Sequence, residues 1–184
     1  MTMTEYTFEL IFKLNKGESP DQHLDALYVA GCDDATVGIG APGYLGLSFI
    51  RESSSVQTAV ETAIKNVKQA IPHAQLERAA PDLLNLSELA FLFGFTKQNM
   101  RKYARGEITS ITEDFPSPVI TGKTSYWHGA KIAQWLNEQG VVKINDNMLN
   151  TLLTLWSLNQ AREFLQRPDP QMTANFTALL QSVA

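Results

Sequence analysis

Residues 86–103 read Leu86-Ser87-Glu88-Leu89-Ala90-Phe91-Leu92-Phe93-Gly94-Phe95-Thr96-Lys97-Gln98-Asn99-Met100-Arg101-Lys102-Tyr103, and three of these positions decide how the stretch folds. Ala90, Gly94 and Met100 have the spacing of a helix-turn-helix. The small Ala90 lets a second helix cross closely, Gly94 takes the positive φ that turns the chain, and Met100 with Leu89 fills the angle between the helices. Thr96 is then the natural N-cap of the second helix. That helix is predicted to bury Met100, Tyr103 and Ala104 and to expose Lys97, Gln98, Arg101, Lys102 and Arg105. Residues 96–105 hold Lys97, Arg101, Lys102 and Arg105 with no acid among them. These are the side-chain types that meet DNA.

Toward the C-terminus, Phe115-Pro116-Ser117-Pro118-Val119-Ile120-Thr121-Gly122-Lys123 leads to Tyr126-Trp127 and then to Ile132-Ala133-Gln134-Trp135-Leu136. With the helix pair that begins Leu86-Ser87-Glu88-Leu89-Ala90 and turns at Gly94-Phe95-Thr96, these segments follow a recognisable order. Over residues 84–139 the chain resembles the excisionase-like branch of the MerR-type winged helix-turn-helix domains, typified by AlpA-like phage regulators. The chain departs from that pattern in the longer segment Gly106–Asp114 and in the regions added on both sides. The resemblance implies a recognition helix in the major groove and a basic wing around Gly122, and so a sequence-specific, double-stranded-DNA-binding transcriptional regulator.

The residues offer chemistry of the same kind. Arginine and lysine reach guanine O6 and N7, and Gln98 or Asn99 can pair bidentately with adenine. Gln98 and Arg101 are the expected base readers, whereas Lys102, Arg105, Lys123 and Thr124 meet phosphates; Thr96 and Lys97 complete the predicted contact set. Two alternatives stand beside this one. The first is an antitoxin-like or defence-locus protein whose N-terminal domain binds a protein partner, and the second is a small-molecule-sensing regulator.

Toward the N-terminus the pattern changes from helical to alternating. Tyr6, Phe8, Leu10, Phe12 and Leu14 share one parity, which predicts a half-buried strand. Ser19-Pro20-Asp21-Gln22 is a capping box with proline at the first helical position, and Leu24, Leu27 and Tyr28 continue a short helix up to Gly31. Ala35, Val37 and Ile39, then Leu45, Leu47 and Phe49, predict two paired strands joined through Gly40-Ala41-Pro42-Gly43. Val56, Ala59, Val60, Ala63, Ile64, Val67 and Ile71 form a helical stripe that stops at Pro72, and Ala74–Glu77 suggests a closing strand. The order βαββαβ predicts a ferredoxin-like sheet with both helices on one face, so the fold class is α+β.

Gly38-Ile39-Gly40-Ala41-Pro42-Gly43 matches a dinucleotide fingerprint by letter, but its glycines lead into a strand rather than a helix, so no nucleotide site is read there. Cys32-Asp33-Asp34 with His23 and His73 fits no metal-ligand spacing, and no metal or cofactor is expected. No nucleophile has a neighbouring base, the histidines are scattered, and no enzyme is read here.

The chain has 184 residues and a formal net charge of -4. Residues 1–80 hold six basic against ten acidic residues and residues 82–140 six against six, so the excess acid lies away from the basic helix. A single cysteine excludes an internal disulfide and suits a reducing compartment. Without a long apolar run or a signal-like N-terminus, the expected location is cytoplasmic and no membrane partner is expected.

Beyond Gly140, the apolar residues from Met148 to Leu165 crowd so much of a helix's circumference that it must be covered. Arg167-Pro168 ends this helix and Asp169-Pro170 restarts another, whose stripe is Met172, Phe176, Leu179, Leu180 and Val183. The predicted layout is therefore a ferredoxin-like domain (1–80), a winged helix-turn-helix (81–140) and a C-terminal helical pair (141–184) that packs inward or joins a homodimer.

Overall fold

In a computed structural model, which describes residues 3–39 and 42–183, the chain is a mixed α+β protein with a four-stranded antiparallel sheet and seven α-helices. Strand β1 (Thr4–Lys13) buries Tyr6, Phe8, Leu10 and Phe12, as its alternation predicts. The Ser19 backbone N–H donates to Gln22 Oε1, and a single 3-10 turn, Pro20–His23, leads into α1 (Leu24–Val29). Strands β2 (Ala35–Ile39) and β3 (Tyr44–Ser53) pair antiparallel; Gly40 and Ala41 of the expected connection lie outside the described residues. Helix α2 (Val56–Ala70), capped by the Ser55 hydroxyl, buries Val56, Ala59, Val60, Ala63 and Val67.

The last strand of the sheet, β4 (Gln75–Ala80), starts one residue later and runs three further than the sequence suggests. Glu77-Arg78-Ala79-Ala80 carries no apolar alternation, and an irregularity at Ile11/Phe12 takes up the mismatch with β1. The strand order is β2-β3-β1-β4, and β1, β3, α1 and α2 share one apolar core.

A second core lies C-terminal to the sheet. Leu83–Leu84 (β5) pairs antiparallel with Trp127–His128 (β6), a contact that no sequence pattern announced. Around it stand α3 (Leu86–Leu92), α4 (Lys97–Ala104) and α5 (Gly129–Glu138), which bury Leu89, Ala90, Met100, Ile132, Trp135 and Leu136. At Gly129 the backbone N–H donates to the Asp82 carbonyl at 2.8 Å, and a Cβ would stand 3.1 Å from Leu152 and 3.2 Å from Leu84. Any side chain here would have to push Leu152 and Leu84 aside by a few tenths of an ångström, so glycine lets α5 begin this close to its neighbours without strain.

Helix α6 (Asp146–Leu165) joins the two cores. Leu155 is buried among the sheet residues and Leu152 in the helical core, so the expected covering is present over the middle of the helix, whereas Phe164 and Leu165 at its C-terminal end are exposed. Asn159 completes the junction by treating the sheet edge as a strand would. Its Oδ1 accepts from the Ala79 backbone N–H at 2.8 Å, and its Nδ2 donates to the Ala79 carbonyl at 2.8 Å and to Asp82 Oδ2 at 2.7 Å. Asp82 Oδ1 in turn accepts from His128 Nδ1 at 2.6 Å, and the His128 ring stacks on Trp156. An edge strand's unpaired backbone groups and a buried carboxylate are thus satisfied together.

Helix α7 (Pro170–Ser182) begins at the Asp169 cap and Pro170, as expected, but buries no residue. Its apolar stripe stays exposed, so of the two C-terminal helices only α6, with Ile144 before it, shows the inward packing allowed for residues 141–184. No helix is long and apolar enough to cross a membrane among the described residues.

Candidate nucleic-acid interface

Helix α3 starts with a reciprocal cap. Asn85 Oδ1 accepts from the backbone N–H groups of Ser87 and Glu88, and Glu88 Oε2 accepts from the Asn85 N–H at 2.8 Å. At its other end the Gly94 N–H donates to the Phe91 carbonyl and the Phe95 N–H to the Ala90 carbonyl, while Gly94 sits at φ +73°. This pair of bonds is the Schellman termination, which needs a left-handed residue at that point. Thr96 follows in extended conformation, and its hydroxyl oxygen accepts from the Asn99 N–H at 3.1 Å to start α4.

The result is a helix with one apolar and one polar side. Met100 is fully buried, while Tyr103 and Ala104 are half-buried. Lys97, Gln98, Arg101, Lys102 and Arg105 are exposed, as expected, and Asn99 is half-buried. Two predicted contacts have other partners. The Thr96 oxygen serves the helix cap, and Arg105 lies 3.5 Å from Glu107, both side chains being well exposed.

Lys123 and Thr124 are exposed on a separate loop. Residues 120 and 126 form an antiparallel bridge, and the Val119 N–H donates to the Tyr126 carbonyl at 2.8 Å, so 121–125 is the tip of a narrow hairpin. Its base is fixed by Trp127, whose Nε1–H donates to the Pro116 carbonyl at 2.8 Å. Phe115 packs edge-on against Trp127 and Trp135, and Tyr103 of α4 packs edge-on against Trp135. The helix and the hairpin are therefore anchored to one aromatic cluster, although no direct bond joins their exposed residues. Trp127, Trp135 and Leu136 are buried, so they are core and not platforms on which bases could stack. His128 is committed to Asp82 and is not free for a phosphate.

The longer segment after α4 is tied down by Gln139, whose Oε1 accepts from the backbone N–H groups of Thr112 and Glu113 at 3.4 Å. Sequence reasoning missed this contact and the Asp82–His128–Asn159 chain, because polar residues far apart in sequence carry no periodic signal.

The N-terminal polar cluster is structural. Arg51, buried, donates from Nε and Nη2 to the two oxygens of Asp34 at 2.6 and 2.8 Å and from Nη2 to the Gly31 carbonyl. The bonds to Asp34 push the guanidinium pKa further above its ordinary value, and burial pushes the Cys32 thiol up, so Cys32 is not a reactive thiolate. His73 and His23 turn toward Glu18 instead of toward Cys32. Among the described residues no group of histidine, cysteine and carboxylate side chains is arranged to hold a metal ion.

Comparison with protein families, with curated proteins and with solved structures finds no match for this chain.

Proposed function

We propose that the protein is a sequence-specific double-stranded-DNA-binding regulator that reads the major groove with α4. The observation that carries this is the exposed side of α4, where Lys97, Gln98, Arg101 and Lys102 project from a helix held rigidly by Met100, Tyr103 and the Thr96 cap. The tip 121–125, anchored through the same aromatic cluster, supports its use as a wing on the phosphate backbone. Strand order β2-β3-β1-β4, with α1 and α2 packed into one core, supports a ferredoxin-like reading of residues 1–80.

One recognition helix spans only a few base pairs, so a regulator of this kind works as a homodimer on an inverted repeat with half-sites about 10 bp apart or a multiple of that. The uncharged helix α7, with Phe176, Leu179 and Leu180 exposed, supports self-association through this helix.

Fluorescence anisotropy on cognate and scrambled duplexes at several salt concentrations tests the proposal. Arg101→Ala is expected to lose about 1–3 kcal/mol on cognate DNA and to relax discrimination at one position, whereas Lys102→Ala weakens all sequences alike and lowers the salt slope by about 1. DNA affinity that neither substitution alters refutes α4 as the recognition helix. Light scattering before and after removal of residues 168–184 tests the dimer, because this cut leaves α6 and both cores intact.

A further inference from the structure

A cavity of about 670 Å³ opens where the sheet face away from α1 and α2 meets α3 and the C-terminal half of α6. This size lies inside the range of about 300–1,000 Å³ typical of small-molecule sites. Its walls divide into two kinds. Leu84, Leu92 and Phe91 make an apolar side, and Phe91 is 90% exposed, an unusual position for so large a ring on a structured helix. Thr7, Glu9 and Ser48 make a polar side on the sheet.

Charge selects the occupant. Carboxylates along the wall outnumber guanidinium groups five to two. Most of these charges already have partners: Asp82 is bonded to His128 and Asn159, Glu88 caps α3, and Arg162 lies 3.9 Å from Glu77 and 3.8 Å from Glu163. Glu9 is different. It stands on β1 opposite Ser48 of β3 and Ala80 of β4, half-buried, and accepts no hydrogen bond and forms no ion pair with any described residue. Beside it Gly46 has no side chain, and a Cβ there would lie 3.5 Å from Glu9 Oε1, so the carboxylate lies over Gly46 at ordinary contact distance with no polar partner.

An anion in this cavity would be repelled, and a neutral apolar molecule would cover Glu9 without replacing the water it loses. An ammonium group satisfies both conditions, because it pairs with the carboxylate and its remaining hydrogens suit the two hydroxyls. We infer that the cavity binds an organic cation, a primary ammonium on an apolar or aromatic body, with nitrogen at Glu9, Thr7 and Ser48 and the body against Phe91 and Leu92. Since the walls come from the sheet, α3 and α6, such a ligand bridges the two cores. The inference does not depend on DNA binding and is tested without DNA.

Isothermal titration of the full-length protein with 4-phenylbutylamine and, separately, with 4-phenylbutyrate compares the two charges on nearly the same body. Saturable binding of the amine and none of the acid is expected. Glu9→Gln, which removes the charge and keeps the size, is expected to weaken amine binding by at least about tenfold. Ser48→Lys, at an exposed position, places a competing ammonium beside Glu9 and is expected to abolish binding; it keeps the test decisive if Glu9→Gln does not fold. Equal binding of both probes, binding of the acid alone, amine binding that survives either substitution, or no binding of the amine at millimolar concentration overturns the inference.

Discussion

The sheet unit, residues 4–80, and the helical unit, residues 83–144, reach a closed core by different routes. In the sheet unit one parity of each long strand supplies the core: Phe8, Leu10 and Phe12 face Leu45, Leu47 and Phe49, and a slip by one residue would turn this whole set to solvent. In the helical unit no element is longer than the 10 residues of α5, and shape is set by terminations, namely the Asn85 and Thr96 caps and the left-handed turn at Gly94. The first route consumes the apolar residues of its strands in packing. The second leaves one side of α4 free of packing duty, and that side carries the basic residues.

The sharpest way to break this contrast is to remove a core side chain from the sheet. Phe49 is fully buried and stacks on Phe8 with ring centroids 5.2 Å apart. Phe49→Ala is expected to cost about 3–5 kcal/mol in chemical denaturation. Because α6 puts Leu155 in one core and Leu152 in the other, both units are expected to unfold in one transition. Two separated transitions, with the tryptophan fluorescence of the helical unit unaffected by the substitution, would show that α6 does not weld them.

The next effect is expected at the weld itself. Asn159→Leu keeps the approximate volume but leaves the Ala79 N–H and carbonyl without partners and takes one donor from buried Asp82. A loss of about 3 kcal/mol is expected from such unsatisfied groups. Hydrogen exchange at Ala79 checks the mechanism, since its amide should lose protection more than those of β1 or β3. Equal protection in the variant would mean that the edge of β4 is held by something else.

The two routes also differ in how far the sequence reveals them. Period-2 alternation exposes β1, β2 and β3, and the stripe from Val56 to Ile71 exposes α2, because each pattern is local and repeats. The helix pair is legible for another reason: Ala90, Gly94, Thr96 and Met100 each answer a separate steric demand at fixed spacing. The exposed residues of α4 follow directly from that pair. Contacts that tie distant segments are not legible. Nothing in Asp82, His128 or Asn159 signals that they meet, the pairing of Leu83–Leu84 with Trp127–His128 is too short to leave a pattern, and the cavity beside Glu9 exists only once α3 and α6 are docked on the sheet.

A smaller effect separates turn chemistry from packing within the helical unit. A Cβ at Gly94 would meet nothing within 4 Å, so Gly94→Ala is resisted only by the left-handed backbone. The expected loss is about 1–2 kcal/mol. Gly94→Asn, a residue that enters this region more readily, should recover part of it. At Gly129 the order reverses, since an alanine Cβ already presses on Leu152 and Leu84 and the larger asparagine presses harder. Thermal melts of the four variants test this, and an Asn that is no better than Ala at position 94 would discard the conformational explanation.

The smallest expected effect lies at the surface of the sheet unit and appears only as pH changes. Glu18 Oε2 accepts from His73 Nε2 at 2.7 Å, and this bond, more than any other contact, holds the Glu18 carboxyl below its ordinary value. A carboxyl whose folded-state pKa is depressed stabilises the fold fully above its unfolded value, about 4.3 for glutamate, and loses that contribution as pH falls through the folded value. Wild type and Glu18→Gln should therefore differ in urea midpoint at pH 6 and converge as pH is lowered below about 4. The group is only partly buried, so salt should reduce the difference as well. Arg51 and Asp34 give the internal contrast: their bidentate pair has the arginine side chain buried on the same unit, and salt should leave it almost untouched. A difference between wild type and Glu18→Gln that stays constant down to pH 3 would show that the glutamate acts through its contact with Asn15 and not through its charge on His73.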